Sequence, residues 1–294
     1  MSDKTMKRLA KPMLFAAAFF WGASFMLMKG ALDNIPTGYL IAIRFTAGTV
    51  LLALFCWRSW KDFSPDYLWR GGLAGLLLFG VYWVQTVGLE TTTPSNSAFL
   101  SAVYCVIVPF MTWALFRERP DRYNIAAALL CITGVGFVSL TEQFTISAGD
   151  ALTLLSSLFC AANIIAVARL GQGKNVMLFT VVQLATVTLC AWALALATET
   201  FAFSALARPE VIWPMLYLCV IATPVCMALM NIGLVWSEPA PAAVILSLEA
   251  VFGVILAVIF YGDPLTPRLL VGFTLIFVGV LCSETKFSFL RKKS

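Results

Sequence analysis

VGLETTTP (Val87 to Pro94) and IGLVWSEP (Ile232 to Pro239) lie 145 residues apart and share the spacing Gly-Leu-x4-Pro. The same shift carries Ala98 onto Ala243, Glu118 onto Asp263, and Gly134-Val135 onto Gly279-Val280. These identities are few but equally spaced, which predicts two structurally equivalent halves. The alternative is that two such stretches coincide by chance in a strongly biased composition.

The composition is that of a membrane protein. Of 294 residues, 61% are hydrophobic and 12% charged, whereas soluble domains are roughly half apolar and about a quarter charged. Ten runs with little or no charge are long enough to cross about 30 Å of hydrocarbon as helices. They cover about 13 to 31, 38 to 57, 71 to 89, 95 to 116, 123 to 141, 151 to 168, 176 to 198, 211 to 236, 239 to 261 and 267 to 285.

The number of spans predicts how the two halves are related. Residues 1–142 and 143–294 would each hold five spans, and because five is odd, the second half enters the membrane from the opposite side. The predicted fold is therefore an all-α membrane protein of ten transmembrane helices in two inverted five-helix repeats. Such repeats are typical of secondary transporters, whose substrate site lies at the repeat interface near the midplane.

The positive charges predict the orientation. With a cytoplasmic N-terminus, 16 of the 20 Lys and Arg residues fall in cytoplasmic segments and three outside, while Arg44 falls within the second span. Cytoplasmic loops carry such an excess in membrane proteins. Both termini are expected in the cytoplasm of a multi-pass cell-membrane protein, and the net charge of +5 needs no nucleic-acid partner.

Several runs of this sequence resemble the EamA family of drug/metabolite transporters. They are FWGASF (Phe20 to Phe25), AIRF (Ala42 to Phe45), Gly88-Leu89-x4-Pro94, AFLSAVYCVIVP (Ala98 to Pro109), SLEAVF (Ser247 to Phe252) and GDP (Gly262 to Pro264). The resemblance covers nearly the whole chain in order. It implies ten helices in two inverted units, a central cavity, export of small metabolites or amphipathic compounds, amino acids among them, and a bacterial inner membrane. Ala250 departs from the family, which often has Pro there, so the resemblance does not settle local bending.

Glu249 is the first candidate functional residue, because no other charge lies between Pro239 and Tyr261. It sits about ten residues from either end of its span, where an ionised carboxylate is costly unless it is paired or hydrated. It could carry a coupling proton or bind a cationic group of the substrate. The alternative is a protonated or hydrogen-bonded Glu that holds two helices together.

Tyr104 corresponds to Glu249 under the 145-residue shift, so the two residues are expected to face each other across the repeat axis. Further polar and aromatic side chains are expected to point into the bundle and line a cavity, although each could instead pack against a neighbouring helix. These candidates are Trp21, Ser24, Tyr82, Trp83, Gln85, Ser97, Ser101, Ser156, Cys160, Asn163, Thr223, Met227, Met230 and Asn231.

Arg44 lies about six residues inside the second span from its outer end. One interpretation is that its side chain snorkels to the headgroups. The other is that it recognises an anion or a carboxylate.

The predicted function is secondary active transport of a small-molecule substrate across a lipid bilayer. The sequence has no histidine and no H-E-x-x-H, G-x-S-x-G or phosphate-loop motif, so we expect neither an enzyme nor a cofactor or metal. A membrane receptor or channel is the alternative. Proton coupling stays open, as does the choice between a monomer and a homodimer.

Overall fold

The computed structural model describes residues 3–139 and 146–285, which form helices and no strands. The helices are α1 Asp3–Leu32, α2 Thr37–Phe55, α3 Asp66–Thr91, α4 Pro94–Ser101, α5 Tyr104–Phe116, α6 Arg122–Ser139, α7 Ala148–Leu170, α8 Val176–Thr198, α9 Pro209–Tyr217, α10 Cys226–Val235, α11 Pro239–Leu256 and α12 Pro267–Thr285. Short 3₁₀ turns cover Trp57–Asp62 and Phe203–Ala207, and wider π-helical turns cover Leu218–Val225 and Ala257–Tyr261.

Within the described residues, seven helical segments are long and apolar enough to cross a bilayer. One combines α4 and α5, and another runs from α9 through α10. The predicted fifth, ninth and tenth spans coincide with α6, α11 and α12, whose apolar stretches are shorter within the described residues. The count of ten spans therefore stays a prediction. The predicted boundary between residues 142 and 143 lies outside the described residues. So do four of the sixteen Lys and Arg residues predicted to be cytoplasmic, which are Lys286, Arg291, Lys292 and Lys293.

Local sequence signals explain where several helices begin and bend. The hydroxyl of Thr93 accepts a hydrogen bond from the Asn96 amide, and Pro94 occupies the first turn of α4, where its missing N–H costs nothing. The fourth span breaks between α4 and α5, ahead of Pro109. Pro224 lies in the π-helical turn Leu218–Val225, as expected where a ring displaces the normal helical hydrogen bond. In contrast, α11 continues unbroken through Ala250.

The contact between α6 and α12 is reciprocal under the 145-residue shift. A Cβ added to Gly134 would meet Gly272 and Ile276, and one added to Gly279 would meet Ala127 and Cys131. The shift relates Gly134 to Gly279, Ala127 to Gly272 and Cys131 to Ile276, so the two contacts are equivalent. Because the later residue of one helix meets the earlier residues of the other, the two helices run antiparallel.

Helix pairs α3–α7, α1–α11 and α2–α8 also pack closely and enclose the centre of the molecule. Their outer surfaces carry large apolar side chains that are exposed in the isolated chain, such as Phe55, Leu129, Leu189, Trp213 and Phe260. A surface this apolar is stable only against lipid or another apolar partner. The molecule is therefore a multi-pass membrane protein.

Two lysines hold the two ends of α3. Lys29 donates from Nζ to the carbonyl oxygens of Leu89, Glu90 and Thr92, at 2.7, 2.9 and 3.2 Å, and so caps its C-terminal end. Lys174, which is 145 residues further along the chain, forms an ion pair of 2.5 Å with Asp66 at the first turn. The helix that carries Tyr82 and Gln85 is thus fixed at both ends.

Candidate functional site

A cavity of about 70 Å³ lies in the centre of the bundle, between α1, α2, α3, α4, α5, α7, α10 and α11. Water needs roughly 10 to 15 Å³ by this measure, so the space holds several waters or one compact solute group. Twelve of the residues predicted from the sequence line it. They are Trp21, Ser24, Arg44, Tyr82, Gln85, Ser101, Tyr104, Ser156, Cys160, Asn163, Met230 and Glu249.

Five sequence candidates do not line this cavity, and one of them, Thr223, instead accepts a hydrogen bond from Arg44 Nε. Trp83 stacks on Phe79 with 6.0 Å between ring centroids, and Ser97 is buried in α4. Met227 is buried one turn from Met230, which does line the cavity. Asn231 donates from Nδ2 to Thr180 Oγ1 and Gln183 Oε1, at 2.9 and 2.6 Å, and so joins α10 to α8.

The cavity also has lining residues that the sequence reasoning missed. Phe25 and Met28 follow Trp21 at helical spacing on α1. On α3, Leu78 precedes Tyr82 by four residues and Val81 precedes Gln85 by four. Extending each predicted face by one turn would have found them, because residues three and four apart share a helix face. They were missed because they are apolar.

Glu249 and Tyr104 meet as expected from the repeat. The Tyr104 hydroxyl lies 3.4 Å from Glu249 Oε1, a long hydrogen bond between residues 145 positions apart. Glu249 is 8% exposed. Within residues 3–139 and 146–285, no Lys or Arg lies within 4.0 Å of its carboxylate. The carboxyl group is therefore buried, weakly held and turned to the cavity.

Arg44 does not snorkel, because the side chain is 0% exposed and lies inside the bundle. Its Nε donates to Thr223 Oγ1 and its Nη1 to Met28 Sδ, both at 3.0 Å. The guanidinium also lies 4.9 Å from the Tyr82 ring centroid. A desolvated cation–π contact stabilises by about 2 kcal/mol. Removing the ion from water costs several kcal/mol, and each buried donor without an acceptor costs about 1 to 3 kcal/mol more. The buried charge is incompletely compensated.

Most other polar groups of the cavity wall are occupied by helix contacts. Gln85 Nε2 donates to Ser101 Oγ at 2.7 Å, and Asn163 Nδ2 donates to the Ala74 carbonyl at 2.8 Å. Trp21 Nε1 donates to the Ala222 carbonyl at 2.7 Å. These side chains shape and stiffen the wall. Of the lining groups, Arg44 Nη2 and the Ser24 hydroxyl have no partner among the described residues, and Glu249 has one long hydrogen bond.

A membrane-embedded bundle with a small central cavity, and with one acidic and one basic side chain on its wall, is the architecture of a protein that handles a small solute. Sequence similarity defines the class of protein more closely. The profile of the EamA-like transporter family matches residues 9–140 and 147–285, so it matches the chain twice in succession. The chain belongs to this family, and it is a membrane transporter.

Relatives agree with this assignment. An uncharacterized transporter of Archaeoglobus fulgidus is 30% identical over 272 residues, which cover 91% of this chain and 83% of that protein. A UPF0060 membrane protein of Methylocella silvestris is 26% identical over 35% of this chain and 97% of its own length. One solved crystal structure superimposes with a TM-score of 0.71 at 16% identity, covering 97% of this chain and 99% of that chain. That likeness supports the fold.

Proposed function

We propose that the protein is a secondary active transporter that exports small organic metabolites, such as amino acids or amphipathic compounds, by alternating access. The observation that carries the proposal is the central cavity, where Glu249 and its repeat counterpart Tyr104 meet 145 residues apart. A substrate site between two repeats near the midplane is what alternating access requires.

The proposal includes ten spans arranged as two inverted five-helix repeats, divided near residues 142 and 143. One observation supports the inversion and another supports the repeat. The α6–α12 contact is reciprocal and antiparallel, and the family profile matches the chain once in each half. Antiparallel equivalents are expected when the second repeat crosses the membrane in the opposite direction. The loop charges favour cytoplasmic termini in a bacterial inner membrane, as a monomer or a homodimer.

Glu249 is proposed as the coupling or substrate-binding carboxylate. It faces the cavity with one long hydrogen bond, so it can exchange a proton or a ligand without breaking a strong ion pair. The other titratable side chains of the cavity wall are Arg44, Tyr82, Tyr104 and Cys160. Glu249 is the carboxylate in this set, and carboxylates are the usual proton carriers of membrane pumps and transporters.

The test is a flux assay with purified protein in liposomes, using a tritiated L-amino-acid mixture and tritiated tetraphenylphosphonium as probes. Accumulation that follows a pH gradient and collapses with a protonophore is expected. Uptake in which the internal probe concentration never exceeds its equilibrium value would favour the channel alternative. The absence of flux of any probe would favour a receptor.

The Glu249→Gln variant separates the roles of this residue. Proton coupling predicts loss of gradient-driven accumulation with retained exchange of labelled for unlabelled probe, and binding of a cationic group predicts loss of both. If both activities persist with unchanged pH dependence, Glu249 only holds helices together. Glu118→Gln is the matched control, because Glu118 is an exposed carboxylate paired with Arg169, away from the cavity.

A further inference from the structure

Arg44 is enclosed without an acidic partner among the residues that the structure describes. Its contacts are with the hydroxyl of Thr223, the thioether of Met28, and the ring faces of Tyr82 and Phe45. Its Nη2 atom is buried without a hydrogen-bond partner, and no Asp or Glu lies within 4.0 Å of the guanidinium in the described part of the chain. A thioether is a weak acceptor, and a ring face binds only part of the charge.

The position of Arg44 connects this unmet charge to the cavity. Arg44 lines the same space as Glu249, but the two side chains form no ion pair, and Glu249 is bonded to Tyr104 instead. A structural arginine in an apolar interior is expected to be paired with a carboxylate of its own chain. Here the cavity, rather than the protein, can supply the missing anion.

The chemistry of the guanidinium limits the anion. Its planar fork matches carboxylates and similar oxyanions better than a spherical charge does. Nε already donates to Thr223 in the π-helical turn Leu218–Val225, and Nη1 donates to Met28 on α1. The guanidinium is therefore oriented before any ligand arrives. Such preorganisation favours a compact anionic group with little reorganisation.

We infer that Arg44 anchors the anionic group of the transported solute, and that the cavity selects solutes that carry a carboxylate or an equally compact oxyanion. This inference rests on the proposed transport function and names the chemical class that its site accepts. Thr223 is then a positioning residue, because it holds the guanidinium by Nε and leaves Nη2 for the ligand.

The test measures ligand-induced thermal shifts of the purified full chain with matched acids and amides. Acetate, glycine, alanine and phenylalanine are compared with acetamide, glycinamide, alaninamide and phenylalaninamide at equal ionic strength. At least one acid is expected to bind about tenfold more tightly than its amide, since a charge-assisted bond is roughly twice as strong as a neutral one. In Arg44→Gln this difference should fall below about twofold.

Two further variants keep the test decisive. Arg44→Lys keeps the charge without the fork, and an intermediate preference for the acid is expected. Thr274→Val is the control that should match the wild type, because Thr274 lies on α12 away from the cavity and bonds to Leu270 of its own helix.

Four results would overturn the inference. The first is an acid-selective ligand that binds Arg44→Gln as tightly as it binds the wild type, and the second is a wild type in which no acid binds more tightly than its amide. The third is a panel in which no acid binds, and the fourth is chloride alone reproducing the shift. The last result would assign Arg44 to an inorganic anion instead. Flux in the liposome assay is read separately, so flux without a preference for acids would remove only the assignment of Arg44.

Discussion

Gly22 of α1 is a position where one added methyl group should disturb the cavity. A Cβ at Gly22 would lie 2.5 Å from Phe252 Cβ and 3.0 Å from the Gly253 nitrogen, whereas ordinary van der Waals contact begins at 3.4 Å. Since a backbone nitrogen and a Cβ cannot move aside as a flexible side chain could, α1 and α11 must separate by about 1 Å.

The expected cost of Gly22→Ala follows from this overlap. Overpacking a well-packed contact typically costs about 1 to 3 kcal/mol. Replacing Gly by Ala inside a helix also stabilises the helix by up to about 1 kcal/mol, because Ala has the higher helix propensity. Gly30→Ala, in the same helix, gains the same propensity and meets nothing within 4 Å. We therefore expect the free energies of unfolding of the two variants to differ by about 1 to 3 kcal/mol.

The assay is reversible unfolding by SDS in mixed micelles, followed by tryptophan fluorescence. Gly22→Ala should also reduce flux of the liposome probes, because the separated helices carry Trp21 and Glu249 in the cavity wall. Equal unfolding free energies for Gly22→Ala and Gly30→Ala, within about 0.5 kcal/mol, would refute the close α1–α11 contact.

Three further changes test other contacts. Thr223→Val leaves the Nε of Arg44 without its acceptor and should cost about 1 to 3 kcal/mol in the same unfolding assay, whereas a change near zero would contradict the bond. Asn231→Leu removes the amide bonds from α10 to α8 and should cost about 1 kcal/mol; an equally stable variant would speak against them. Asp66→Asn loses the ion pairs with Lys174 and Arg70, so it should lower stability by up to about 1 kcal/mol at low salt and less at high salt, and a salt-independent loss would point to another cause.

Much of the fold follows from the sequence, because apolar runs separated by charged loops leave helices as the main choice in a membrane. The repeat spacing also predicted the meeting of Tyr104 and Glu249, which are far apart in sequence. The break between α4 and α5 and the π-helical turn at Pro224 were predictable only as bends. Their register depends on packing against neighbouring helices.

The site was predicted less completely, and Arg44 shows why. Distance along the span suggested that its side chain could reach the headgroups, but the rotation of α2 in the bundle points it inward instead. That rotation is set by contacts with other helices, such as the Thr223 hydroxyl, which no local pattern encodes. Similarly, nothing in the sequence distinguishes Asn231, whose amide joins two helices, from a residue that lines the cavity.

The pairing of Tyr104 with Glu249 has a consequence for how such a chain can evolve. In an assembly of two identical halves, a position on the symmetry axis meets its own copy, so an acidic residue there would face a second acidic residue at short range. A single chain that carries both halves can change one copy alone. Here one copy is a phenol that donates a hydrogen bond and the other is the carboxylate that accepts it. Joining the halves in one chain thus permits one central carboxylate without a second carboxylate that would repel it.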